Sequence, residues 1–367
     1  MSTKYVPSLN GLRALSILFV ITGHLAYRNF HGADLPGPQM GVNIFFIISG
    51  FLITLLLLEE EKINGSINLK KFYLRRTLRI FPAYYFLLFS YLILQLAGIL
   101  QFHTNSWITS LTYTKYFRVT HSHEWETDHL WSLSVEEHFY LMWPLIFKFL
   151  RPYRVKIALL IILLVPIIRG VNYAQGMEKI NSGATLLLRA DALMIGCLLA
   201  IYRESISGWI TKVIEKYKFM IFLPLFGLAC SLVITKIIPA DSVVIGGATR
   251  ALARATGTFT NVFVCLIILI SANFKNTLWY RFLNTGAMNY AGKLSYSLYL
   301  WQQLFFSGHI GILGKFPVNI FCIVVAAMIS YYFIEKPFLR LKSRFEVQKD
   351  TVRLISQQVG FAESKMN

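Results

Sequence analysis

Ten apolar stretches, each long enough to cross a bilayer as a helix, dominate a chain of 367 residues. They fall near 10–28, 40–58, 80–100, 134–150, 156–173, 186–202, 219–238, 250–272, 288–309 and 316–335. At about 1.5 Å per residue, roughly 20 apolar residues cover a hydrocarbon core about 30 Å thick. Only 15% of the chain is charged, where a soluble domain carries about 25%. The pattern predicts an all-α polytopic membrane protein with about ten transmembrane helices, embedded in the lipid bilayer. The connections are short except for 101–133, which is rich in His, Trp, Thr and Tyr and reads as an ordered cap outside the membrane.

Lysine and arginine set the orientation. Lys62, Lys70, Lys71, Arg75, Arg76 and Arg79 occupy 59–79, Arg151, Arg154 and Lys156 follow the fourth stretch, and Arg203, Lys212, Lys216 and Lys218 follow the sixth. Lys275, Arg281 and a basic tail complete the set. With ten spans all of them fall on one side, which the positive-inside rule makes cytoplasmic. An odd number of spans breaks that agreement, so both termini are placed in the cytoplasm. The organisation expected is a transmembrane domain over 1–340 and a basic cytoplasmic tail over 341–367. The net charge of +18 is spread over short loops and the tail, which argues against a nucleic-acid partner. The first stretch has a short basic region before it and no small-residue cleavage site after it, and it reads as a retained span. The four cysteines lie within apolar stretches without metal-ligand spacing, so they read as packing residues and no metal is expected.

Ionisable residues inside such stretches are costly and usually functional. Arg13 and His24 share the first stretch. Eleven positions apart, they lie within roughly 20° of one helix face and about 16 Å apart along its axis. Arg76 and Arg79, three apart, also share a face. Guanidinium forks bind phosphates in paired fashion; the plainer reading is topological anchoring. Arg13 at the same membrane level turns the three into a candidate site for a phosphate-rich cytoplasmic ligand. Ser49 and Gly50 are small enough for close helix contact. Trp131 and Tyr140 suit the interface, while Glu136 or Glu137 is either an ordinary acidic residue at a helix start or a carboxylate that orients an imidazole or binds a sugar hydroxyl. Arg189 and Asp191 read as a structural ion pair. Arg250 and Arg254 are weaker candidates for an anionic acceptor, and Glu335 stands ready to neutralise the arginine cluster.

Taken together these residues resemble the acyltransferase-3 family of membrane acyltransferases. Arg13 and His24 match its R-x10-H motif, residues 41–52 its G-V-D-x-F-F-x-x-S-G-F-L stretch, and Arg76 and Arg79 its R-x-x-R motif. Residues 131–140 are similar to its W-S-L-x-x-E-x-x-F-Y block, and 294–301 and 335–338 to its last two landmarks. Asn43 stands where an acidic residue is common, and Gln302 where a second histidine often follows the tryptophan. The resemblance implies a bacterial inner-membrane enzyme that moves an acyl group, commonly acetyl, from acyl-CoA to a carbohydrate hydroxyl. Surface polysaccharides, lipid-linked precursors and secreted glycolipids are the acceptors it implies. Some members carry an esterase-like domain; without one, the acceptor reaction belongs to the membrane domain or to a partner.

On this reading the candidate catalytic residues are His24, Arg13 and Glu136, and the donor-binding candidates are Arg76, Arg79 and Ser49. A neutral imidazole at His24 takes the proton from the attacking hydroxyl, a contribution of about 10²–10⁴-fold, or it accepts the acyl group itself and passes it outward. The rival class is a transporter or flippase, which intramembrane charges and ten spans also suit, although no internal repeat or pair of broken spans is evident. The topology has a direct test. A tag fused after Asn367 is expected to be accessible only from the cytoplasm, and the thiol of His121→Cys to be labelled from outside; labelling of the tail from outside would overturn the orientation.

Overall fold

A computed structural model of the chain describes residues 8–29, 37–116, 124–174, 185–237 and 247–345, and among these there are helices and no strands. The helices are α1 (Leu9–Asn29), α2 (Pro38–Asn64), α3 (Leu69–Leu96), α4 (Thr104–Leu111), α5 (Trp125–Asp128), α6 (Leu130–Phe149), α7 (Arg154–Ala174) and α8 (Thr185–Ile201). They continue with α9 (Arg203–Lys216), α10 (Leu223–Ile237), α11 (Gly247–Asn273), α12 (Leu278–Leu283), α13 (Gly286–Phe305) and α14 (Val318–Ile329). A π-helical turn, Ser330–Glu335, then leads into α15 (Lys336–Ser343). Each apolar stretch of the sequence falls on a helix. By length and apolarity together, four described segments are able to cross a membrane: Leu9–Arg28, Pro38–Asn64, Leu69–Leu96 and Val318–Ser343. A fifth qualifies only as the pair Leu188–Ile201 and Arg203–Lys216, bent by 83°. Helices α6 and α13 carry polar and ionisable side chains such as Glu136, Glu137, Lys293 and Gln302, which lower their hydropathy.

The helices run further than the apolar stretches do. Residues 59–79 read as a basic loop, yet α2 continues to Asn64 and α3 starts at Leu69. Local signals fix these ends: Pro38 opens the first turn of α2 and Gly65 closes it at φ 71°, and the Asn68 side chain accepts from Lys71 N at 3.0 Å to cap α3. Charge pairs let the helices leave the apolar region intact. Arg75 donates to Glu60 Oε2 at 2.7 Å, and Arg154 grips Glu61 with two bonds of 2.8 Å. Arg76 and Arg79 therefore stand on a formed helix, not in a loop. Residues 203–216, also expected as a loop, are the helix α9. The expected tail of 341–367 begins inside α15, and from 346 onward it lies outside the described residues.

Helix α1 packs between α2 and α13, α2 packs on α8, and α7, α10 and α11 extend the bundle beyond α8. Aromatic side chains fill its centre, with Trp143, Tyr84, Tyr91, Phe46 and Phe147 fully buried. The indole of Trp143 donates to Thr54 Oγ1 at 2.9 Å and ties α6 to α2. The α2–α8 contact depends on two glycines. A Cβ on Gly50 would sit 2.0 Å from Leu193 O, and one on Gly196 2.2 Å from Ile47 O. In lipid, close backbone approach of this kind supplies much of the packing energy between helices. Gly50→Ala or Gly196→Ala is expected to cost about 1–3 kcal/mol through overpacking. Gly208→Ala, where a Cβ meets nothing within 4 Å, is expected to be neutral or to gain up to about 1 kcal/mol in helix propensity. Thermal unfolding of the solubilised protein followed by fluorescence ranks the three.

Candidate active site

Five of the six candidate residues line one pocket. Helix α1 brings Arg13, α2 brings Ser49, α3 brings Arg76 and Arg79, and α6 brings Glu136 with Tyr140. Tyr296 and Tyr299 of α13 close the far wall. About 620 Å³ of space, counted with the part open to the outside, lies between them. The Arg76 guanidinium lies 3.8 Å above the Tyr140 ring centroid. Tyr140 OH donates to Ser49 Oγ at 3.0 Å, and Ser49 Oγ donates to Glu136 Oε1 at 2.7 Å. A relay of hydroxyls from α6 through α2 thus holds the Glu136 carboxylate in place. Of the Glu136–Glu137 pair, it is Glu136 that lines the pocket.

The arginines of the pocket differ from the other buried arginines. Arg75 pairs with Glu60, Arg154 with Glu61 and Arg169 with Asp191. Arg13, Arg76 and Arg79 make no such ion pair among the described residues, and the Nε atoms of Arg13 and Arg76 are buried without a hydrogen-bond partner. Glu335, delivered by the π-helical turn and bonded to Ser297 Oγ at 3.0 Å, is near enough for its charge to act on Arg79. Glu137 likewise acts on Arg76, so three carboxylates stand near three guanidinium groups without closing an ion pair with any of them among the described residues.

His24 stands outside this lining, three turns along α1. Its Nδ1–H donates to Gln302 Oε1 at 2.8 Å, and that bond leaves Nε2 with a free lone pair. Trp125 packs edge-on against the imidazole, 5.6 Å between centroids, and Phe306 at 6.4 Å. Ser132 and Tyr299 both line the pocket, and their hydroxyls lie 2.6 Å apart. Tyr299 OH also donates to His129 O at 3.1 Å, and its ring meets the His129 imidazole at 5.5 Å. His129 lies just before α6, outside the spanning segments. Its Nε2–H donates to Leu300 O at 3.1 Å. Burial, with His24 beside it, pushes its imidazole down to about 3, so it stays neutral near pH 7.

Several residues carry more than the sequence reading gave them. Tyr140 reads as an interface aromatic, but it is buried with its hydroxyl on Ser49. Gln302 reads as a departure from a family pattern, and it is the hydrogen-bond partner of His24. Gln303 receives the His129 backbone N–H at Oε1, 3.1 Å, and the Trp125 indole N–H at its carbonyl, 3.2 Å. Two buried amides in an apolar helix were the available signal. The expected pairing of Arg189 with Asp191 needs correction. Asp191 is bridged by Arg169 at 3.1 Å and also receives Thr258 and Asn261, while Arg189 donates to Gln39 Oε1 at 2.7 Å. Neighbours two apart on a helix point in different directions, so Asp191 reaches across to α7 and α11. The side chains of Arg250 and Arg254 lie outside the described residues. Among the described residues no group of three potential metal ligands occurs.

The family model of the acyltransferase domain, acyltransferase-3, matches residues 6–335. The chain is 30% identical over 366 residues to the O-acetyltransferase OatA of Staphylococcus aureus (strain NCTC 8325 / PS 47), covering 92% of this chain and 57% of that protein. It is 28% identical over 360 residues to the putative peptidoglycan O-acetyltransferase YrhL of Bacillus subtilis (strain 168), covering 91% and 55% respectively. The chain thus spans a little over half the length of these relatives. No solved structure matches. With the family model covering almost all of the described bundle, the chain belongs to the acyltransferase-3 family.

Proposed function

We propose that the protein is a membrane O-acyltransferase of the bacterial cell membrane. It takes an acyl group, acetyl by analogy with the names of its relatives, from cytoplasmic acyl-CoA and delivers it to a carbohydrate hydroxyl. The name of the B. subtilis relative points to peptidoglycan as the acceptor class. The scheme has ten spans with both termini in the cytoplasm, which puts the arginine end of the pocket on the donor side. One observation carries the reading: three guanidinium groups without ion-pair partners converge on one pocket, while a hydrogen-bonded imidazole with a free nitrogen waits three helical turns away.

In this scheme Arg13, Arg76 and Arg79 hold the phosphates of the donor. The pantetheine arm runs from them past Ser132 and Tyr299 toward His24. Glu136, fixed by Ser49 and Tyr140, orients the arginines without cancelling them, so Ser49 acts on the donor site through Glu136. The sugar hydroxyl attacks the thioester carbonyl carbon. A C–O bond forms, the C–S bond breaks, the hydroxyl proton passes to His24 Nε2, and the thiolate leaves to take up a proton as free coenzyme A. The variant scheme, in which His24 first carries the acyl group, uses the same nitrogen.

Two tests follow from the two ends of the site. Arg76→Ala and Arg79→Ala are each expected to weaken acetyl-CoA binding roughly ten- to hundredfold, as the loss of a charged hydrogen bond worth about 1.5–3 kcal/mol requires. Calorimetry on the purified protein in lipid nanodiscs reads this. Unchanged binding in the double variant would make the arginines topological anchors.

His24→Ala is expected to lower kcat by at least about 10²-fold with the thermal midpoint preserved. Arg13→Lys is also expected to be poor, because a point charge does not replace a planar fork. Incubation with radiolabelled acetyl-CoA and no acceptor separates the two histidine schemes. A base leaves no label on the protein, whereas a relay leaves a His24-dependent label that acceptor discharges. Full transfer by His24→Ala would sink both schemes and move the proton transfer to another residue, whereas no transfer by the parent protein would favour a transporter.

A further inference from the structure

The last turns of α1 carry His24, Tyr27 and Arg28 at the three- and four-residue spacing that puts side chains on one helix face. Trp125 of α5 meets all three. His24 touches it edge-on, at 5.6 Å and 71°. Tyr27 stacks on it, at 5.9 Å with only 7° between the ring planes. The Arg28 guanidinium lies 5.2 Å from its centroid. The arrangement is braced from α13: the Trp125 indole donates to Gln303 O at 3.2 Å, and Arg28 Nε donates to Phe306 O at 2.6 Å. Tyr27 is nevertheless 64% exposed. An aromatic that only anchors a helix at the membrane interface does not need a parallel indole behind it or a fixed position beside an imidazole.

A second observation concerns Gln302. It is fully buried, its Oε1 accepts from His24, and its Nε2 has no hydrogen-bond partner. Amide oxygen and nitrogen share one carbon, so this unfilled donor lies next to the His24 ring. A ligand reaching this place finds a flat exposed ring, an unsatisfied N–H donor and an imidazole nitrogen with a free lone pair. A pyranose ring fits all three. Its axial C–H bonds make an apolar face that stacks on an aromatic ring, and its hydroxyls both accept and donate.

We propose that the Tyr27–Trp125 pair is the acceptor platform. One sugar ring of the carbohydrate lies on the open face of Tyr27, with the hydroxyl to be acylated directed at His24 Nε2 and a neighbouring oxygen accepting from Gln302 Nε2. Tyr27 is thereby a binding residue for the acceptor and not for the donor. The assignment rests on the acyl-transfer reading and deepens it by naming where the carbohydrate sits.

The test uses the full chain in lipid nanodiscs and two probes, glycan fragments released from peptidoglycan by muramidase and acetyl-CoA, each titrated by calorimetry. Tyr27→Ala is expected to weaken fragment binding about tenfold. Tyr27→Phe, which keeps the ring, is expected to stay within about twofold of the parent. Acetyl-CoA binding is expected to be the same in all three, which also reports that each variant is folded. The platform is overturned if Tyr27→Ala binds the fragments as tightly as the parent, or if the parent binds none. Tyr27-dependent fragment binding without any acetyl transfer would leave the platform standing and remove the acyl-transfer reading instead.

Discussion

A charge inside a helical bundle in lipid has to be met by something, because water is not there to meet it. Removing an ion from water costs several kcal/mol even after relaxation. Most of the bundle obeys this rule internally. Asp191 collects Arg169, Thr258 and Asn261; Glu61 collects Arg154; Glu60 collects Arg75. These closed pairs join α2, α3, α7, α8 and α11. Arg13, Arg76 and Arg79 are the exception: carboxylates stand near them, but no ion pair closes on them among the described residues. The paired helices and the tight α2–α8 contact hold the frame around them, and in the proposed scheme the donor's phosphates complete their contacts.

The imidazole end is built by a different principle. Polar residues on one apolar helix, α13, supply the fixed points: Leu300 O for His129, Gln302 for His24, Gln303 for Trp125 and for the His129 backbone. Neutral amides and carbonyls orient these rings without adding charge. The two ends are therefore held differently, the arginine end by charged groups and hydroxyls and the histidine end by amides and carbonyls of one helix. Tyr299 and Ser132 line the arginine pocket and hydrogen-bond to His129 O.

Much of this was legible in the sequence, for reasons that particular residues make plain. Apolar length marks helices well, so each apolar stretch fell on one. Helix ends were misplaced where charge pairs carry a helix past the apolar region, as Glu60–Arg75 does, because hydropathy stops at a charge and backbone hydrogen bonding does not. Arg13, Ser49 and Glu136 were visible because an ionisable or small residue in an apolar run stands out, and Arg76 and Arg79 because their spacing of three puts both on one helix face. Gln302 stood out only as an anomaly; its partner lies 278 positions away, and no spacing rule reaches that far. Local proximity also misled. Arg189 and Asp191 look like a pair on paper, but a helix turns them apart. Trp125 and Tyr27 gave no signal in the sequence, because their stacking joins two elements about a hundred residues apart.

In the proposed scheme α1 mounts the anchor for one substrate and the proton acceptor for the other on the same rigid rod, so its residue count acts as a ruler. Inserting one residue between Arg13 and His24 would alter no functional group, yet it would swing the imidazole about 100° out of line. Inserting four would bring it back to within roughly 40° of its bearing but carry it about 6 Å further from the arginines. Single insertions and deletions in this interval should therefore be far less tolerated than substitutions, and the distance between the two ends can be retuned only in whole turns.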